Sequence, residues 1–109
     1  MYRATTPTHR FVFNGIDPST FKELNVYYAQ QGVELLKKTK EDCIFTSEEN
    51  LDSTDYVVYL TLSQEETKLF KPRQMVKIQL RALTADDRAL ATSEYEVQVC
   101  DVINDEVLE

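Results

Sequence analysis

Glycine is scarce in this chain: two residues in 109, beside three prolines. Phosphate-cradling loops need clustered glycines, so neither a P-loop nor a dinucleotide fingerprint fits anywhere. The same scarcity argues against a low-complexity linker or a long flexible arm. Tryptophan is absent, and cysteine occurs only at Cys43 and Cys100. Histidine occurs once, at His9, so a Ser-His-Asp or Cys-His mechanism would have to run through it. In the strand that holds it, the ordinary state of such a residue is exposed and idle. A structural zinc site needs about four His or Cys ligands, and one His with two Cys falls short. No EF-hand pattern is present. No metal, cofactor or small-molecule substrate is therefore expected, and no catalytic residue.

Long apolar runs are missing as well. None approaches the roughly 20 residues of a membrane span, and Met1 to Arg10 lacks the apolar core of a signal peptide. The chain is expected to be made in the cytoplasm, where Cys43 and Cys100 would be free thiols. Basic charge is in deficit: 12 Lys and Arg against 19 Asp and Glu, a net charge of -7. With no basic stripe to offset this, neither nucleic acid nor an anionic membrane surface is an expected partner. The plain role of the acidity is solubility. The carboxylate pairs Asp86-Asp87 and Glu65-Glu66 are adjacent in sequence and point in different directions, unlike an acid/base pair across a cleft.

What the chain does have is alternation. Thr8 to Phe13 reads as a strand entered after Pro7, ending at Asn14-Gly15. Asp17-Pro18 starts a short helical turn. Asn25 to Gln30 and Val33 to Lys38 form a hairpin about Gln31-Gly32. Cys43 to Thr46 is a short strand at best, and Ser47 to Thr54 reads as an exposed loop. Asp55 to Leu62 is apolar on both faces, which marks a central strand or one that touches a partner. Ser63 and Glu66 make a capping box, opening a short helix stopped by Pro72. Gln74 to Thr84 and Ala89 to Cys100 form a second hairpin. Ile78, Leu80, Tyr95 and Val97 face the core, and opposite charges on the outer faces can pair across strands. The fold class is thus all-β: an antiparallel, immunoglobulin-like sandwich of about seven strands with one or two short helical turns. The cysteine positions and the absence of Trp depart from the antibody type.

Two features are left over after the core is assigned. Tyr27, Tyr28, Tyr56 and Tyr59 sit in alternating registers, so some face the core and others lie on a surface, where Tyr favours protein and sugar contacts. Tyr27 and Tyr59 are the candidates for interaction. The sandwich is expected to span residues 1–100, leaving 101–109 as an acidic and apolar tail. That tail carries four carboxylates and no basic residue, yet also Val102, Ile103, Val107 and Leu108. It is either a frayed end or a segment that docks, on its own domain or on a neighbour, against a basic counterpart. Lys37-Lys38 and Lys68-Lys71 are the candidate counterparts.

Several stretches carry a resemblance. They are Tyr2-Arg3-Ala4-Thr5-Thr6-Pro7-Thr8, Leu60 to Thr67, Val76 to Thr84, Ala89 to Ser93 and Asp101 to Leu108. Together they resemble small proteins encoded among the tail genes of phages and prophages of Gram-positive bacteria. More distantly, the chain is similar to the immunoglobulin-like N-terminal modules of baseplate proteins. The resemblance implies a non-enzymatic virion or tail-assembly component, made in the cytoplasm and carried in the virion. Its partners would be other tail or baseplate proteins, or copies of itself. Ala4 stands where the pattern expects Gly, so the N-terminal segment is expected to run differently here. The Thr46–Thr54 loop is longer than the pattern. The alternative is a sandwich module that binds a carbohydrate or a host protein through exposed Tyr. A third class, an acidic mimic of nucleic acid, is motivated by charge alone.

Overall fold

A computed structural model describes residues 1–109 as two antiparallel sheets packed face to face. The strands are β1 (Thr8–Asn14), β2 (Glu23–Gln30), β3 (Val33–Thr39), β4 (Cys43–Glu49), β5 (Thr54–Thr61), β6 (Met75–Leu83), β7 (Ala89–Ala91) and β8 (Tyr95–Gln98). One sheet has the order β1-β5-β4; the other runs β3-β2-β6, with β7 and β8 both pairing the far side of β6. A single helical turn, α1 (Gln64–Thr67), and two 3-10 turns at Pro18–Thr20 and Lys40–Asp42 complete the chain. This is the expected all-β sandwich. In immunoglobulin terms, where one sheet is A-B-E-D and the other G-F-C-C′, the strands take places B, C, C′, D, E, F and G. Place A, beside β1, holds no strand.

Period-two alternation delivers the core. Phe11, Val58, Leu60 and Leu62 from the small sheet meet Leu24, Val26, Tyr28, Val76, Ile78, Leu80 and Ala82 from the large one. Phe21, Phe70 and Val99 close the ends. Ile78 and Leu80 are buried as the pattern predicts, and β5 is central in its sheet, which accounts for its two apolar faces. The β2–β3 turn places Gln31 at φ 51 and Gly32 at φ 77, the paired positive angles of a tight hairpin turn.

The structure corrects the expected pattern in four places. Polar Ser47–Glu49 continues β4, pairing Glu48 with Asp55 and Glu49 with Thr54, so only Asn50–Ser53 forms a turn. β4 is an edge strand, and its polar side chains stand in solvent while the backbone makes the ladder. The last strand breaks in two: Arg81 pairs with Ala91 and Ile78 with Tyr95, which leaves one extra residue on the outer strand, a β-bulge. Thr92 sits at the break, where its hydroxyl accepts from the Leu80 amide and its own amide donates to the Leu80 carbonyl. Tyr95, expected in the core, is 50% exposed, and Val97 is half-buried, because β8 is a sheet edge with no strand opposite it in the three-stranded sheet. Ala4 does adopt the conformation the pattern reserves for Gly, at φ 56. Residues 1–3 are held there by a parallel bridge of Tyr2 to Cys100, with Cys100 N–H donating to Met1 and Arg3 N–H to Cys100.

Candidate interaction surfaces

β1 is an edge strand with an open side. The Gly15 amide donates to Thr54 and the Leu62 amide to Pro7, which fixes the phase of the β1–β5 ladder. His9, Phe11 and Phe13 therefore direct their backbone groups to β5. Thr8, Arg10, Val12 and Asn14 direct theirs outward, where no strand meets them. Nothing guards this edge: it has no bulge and no Pro, and Arg10 is its only charged residue. Opposite it lies β8, the free edge of the other sheet. Between them opens a cavity of about 210 Å³ lined by Arg10 and Phe11 of β1, Ile78 of β6, and Tyr95 and Val97 of β8. Tyr95 stands edge-on to Phe11 with centroids 6.1 Å apart, at the floor of this flank. Its position is that of the missing strand A.

His9 marks the inner margin of the flank. Its Nδ1 lies 2.8 Å from the Tyr28 hydroxyl, and the ring is half-buried rather than exposed as its strand position suggested. Register puts His9 on the same face as Phe11, toward the core. Burial lowers the His9 pKa and pushes that of Tyr28 well above its usual range. His9 and the Tyr28 hydroxyl share one hydrogen bond at Nδ1, with the proton's position set by the imidazole tautomer. This bond satisfies a buried polar group.

The outer face of the small sheet is apolar at its centre. Val12, Val57 and Thr46 are in one row, and Arg10, Tyr59 and Ile44 in the next. Val57 is 0% exposed although it faces away from the core cluster. Arg10 on β1 reaches Glu48 on β4 at 3.6 Å, and this ion pair crosses β5 over Val57. The hydroxyl of Tyr59 and the Glu48 carboxylate hold the Arg10 guanidinium charged. Tyr59, a candidate from the sequence, is half-buried within this patch. Tyr27, the other candidate, is on the outer face of the large sheet. The Lys37 ammonium lies 6.0 Å from its ring centre, beside a shallow cavity of about 280 Å³ that Asn25 and Arg81 also line. The structure does not bring the two tyrosines together, since they stand on opposite sheets.

The tail docks on its own domain in part. Arg3 Nη1 reaches Asp101 at 3.1 Å and Asp105 at 3.3 Å, and Arg3 Nη2 donates to the Lys68 carbonyl. Gln64 clasps the far end, donating to the Leu108 carbonyl and accepting the Leu108 amide. Arg3 is thus the basic counterpart in place of Lys37-Lys38 or Lys68-Lys71; Lys38 is committed to Glu66 at 2.6 Å. No periodicity marked Arg3, because its role depends on the two chain ends meeting. Val102 and Val107 are half-buried, whereas Ile103 and Leu108 are 109% and 77% exposed. Residues 101–109 make no backbone–backbone hydrogen bond and form no regular element.

Both cysteines are free. Burial pushes the Cys43 thiol up to about 11, with Asp42 adding to the shift and Lys38 opposing it. No helix is long and apolar enough to cross a membrane. No family model matches the chain, and comparisons with curated proteins and with solved structures likewise found no match.

Proposed function

We propose that this protein is a non-enzymatic assembly module, a tail or baseplate component of a phage or prophage that works through protein–protein contacts. One observation carries the assembly part: an immunoglobulin-like sandwich with place A unfilled, where the unguarded β1 edge and an apolar flank lie open. Such an edge is a template for a strand from another chain. The exposed Ile103 and Leu108 of the tail point the same way, since large apolar side chains on a tail serve contact better than solvation. The phage part rests on the resemblance of the N-terminal, Leu60–Thr67 and C-terminal stretches.

The test is native mass spectrometry of this chain co-expressed with the products of its neighbouring genes. The expected result is a complex of fixed stoichiometry with a tail or baseplate protein. A chain that stays at 12.7 kDa beside every such product would refute the reading. A second reading, carbohydrate binding, is favoured by Tyr27, whose ring stands among Lys37, Asn25 and Arg81. Saturation-transfer NMR with cell-wall glycans would support it if Tyr27→Ala removed the signal, and would dismiss it if no glycan gave one.

A further inference from the structure

The sandwich is a sheet lacking a strand, and its tail is a strand lacking a sheet. β1 aims the backbone groups of Thr8, Arg10, Val12 and Asn14 at empty space over a seven-residue edge. Residues 101–109 leave their own backbone groups without backbone partners. The lengths match, and alternate side chains of an added strand would fall into the flank over Phe11, Ile78 and Tyr95. Charge favours the same edge: Arg10 is its only charged residue, and its exposed pair with Glu48 can exchange for one carboxylate of the tail, which carries Asp101, Asp105, Glu106 and Glu109 and no basic residue.

We infer that the C-terminal tail of a second copy of this chain adds as a strand along β1, filling place A of the sandwich. This rests on the assembly reading above and gives it a site. A copy's own tail is directed elsewhere: Arg3 holds its start and Gln64 its end, so it lies against α1 rather than along β1. Those tethers are two ion pairs from a largely buried Arg3 to half-exposed Asp101 and Asp105, and two exposed side-chain hydrogen bonds from Gln64, a small set of contacts to exchange for a ladder of backbone bonds. Ile103, exposed in the single chain, enters the acceptor's flank together with Val107, while Leu108, of the opposite strand parity, lies on the outer face of the small sheet beside Val12. Each copy then donates one strand and accepts one, a head-to-tail interface that grows into a ring or an open filament.

The test uses full-length chain and two variants that leave the monomer's contacts in place. Val12→Pro removes an amide that points away from β5, so no internal ladder bond is lost. Ile103→Asp/Leu108→Asp changes side chains that are exposed in the single chain. Thr8→Pro, at the strand's first residue, blocks the same edge should Val12→Pro lower the melting temperature. Sedimentation velocity across a concentration series is expected to show wild-type mass rising in steps of one chain, while each variant stays monomeric. A mixture of the Val12→Pro and the tail variants should give dimers and nothing larger, because one intact edge meets one intact tail. Wild-type chain that stays monomeric at about millimolar concentration overturns the inference. So does a tail variant that still assembles, or a mixture that does not dimerise. Each of these three results leaves binding to neighbouring gene products untouched, so failure here is separable from failure of the assembly reading.

Discussion

Replacing Glu66 with Ala should destabilise the protein by about 2–3 kcal/mol and loosen both chain ends. Glu66 has two tasks. Its Oε1 accepts from the Ser63 amide at 2.8 Å, closing the capping box of α1. Its Oε2 accepts from Lys38 at 2.6 Å, in a pair whose side chains are 16% and 21% exposed. A lost cap costs about 1 kcal/mol, and a charge-assisted hydrogen bond of this kind about 1.5–3. Asp42, at 3.9 Å from Lys38, takes up part of the second loss. At about 4 °C per kcal/mol for a domain of this size, the melting temperature falls by roughly 10 °C. Glu66→Gln, which retains an acceptor for Ser63, should cost about 1 kcal/mol, the charge alone. Burial raises the Glu66 carboxyl, but Lys38 and the Ser63 amide outweigh it and the net shift is downward. The folded pKa thus lies below the unfolded one. Its stabilisation is present above about 4.5 and is lost as pH falls through the folded value. The gap between wild type and Glu66→Gln should narrow in urea melts as pH falls below about 4.5. Because α1 carries Gln64 and Thr67, Glu66→Ala should also speed amide exchange at Leu108 and at Thr5, whose N–H donates to Thr67. A loss under about half a kcal/mol, or a gap that ignores pH, would refute this account of α1.

Leu80→Ala, at a position 1% exposed between the sheets, should cost about 2–5 kcal/mol by urea unfolding, and a near-neutral effect would mean that the face is wrongly assigned. Ala4→Gly relieves a non-glycine residue at φ 56 and should raise stability by about 0.5–1 kcal/mol, read as a higher melting temperature; a lower one would mean that Ala4 bears no strain. His9 is held neutral by burial, so stability should fall as pH drops through about 6.5, where the unfolded chain takes up the proton, and level off below the folded pKa; His9→Gln should flatten that window. With its thiol pushed up to about 11, Cys43 should alkylate far more slowly than a free thiol at pH 8, and intact-mass analysis without reductant should show no loss of two hydrogens.

Much of the fold was legible in the sequence because its signals are local. Alternation of Val76, Ile78, Leu80 and Ala82 needs only a period of two. The Gln31-Gly32 turn and the Ser63–Glu66 box need only neighbours within a few residues. The two apolar faces of β5 narrowed it to a central strand or one that touches a partner, and the strand order makes it central. Tertiary structure decided everything that depends on which strands become neighbours. Polar Ser47–Glu49 is strand because β5 lies beside it. Tyr95 has the pattern of a core residue and is half-exposed because β8 is an edge. Arg3 became the tail's partner because the two chain ends meet beside α1, a contact across 98 residues to Asp101. The tail's apolar residues were visible in the sequence, and so were the residues of β1. That β1 has an unfilled side was not, since an open edge is a property of the strand order, set by long-range pairing that no local window contains.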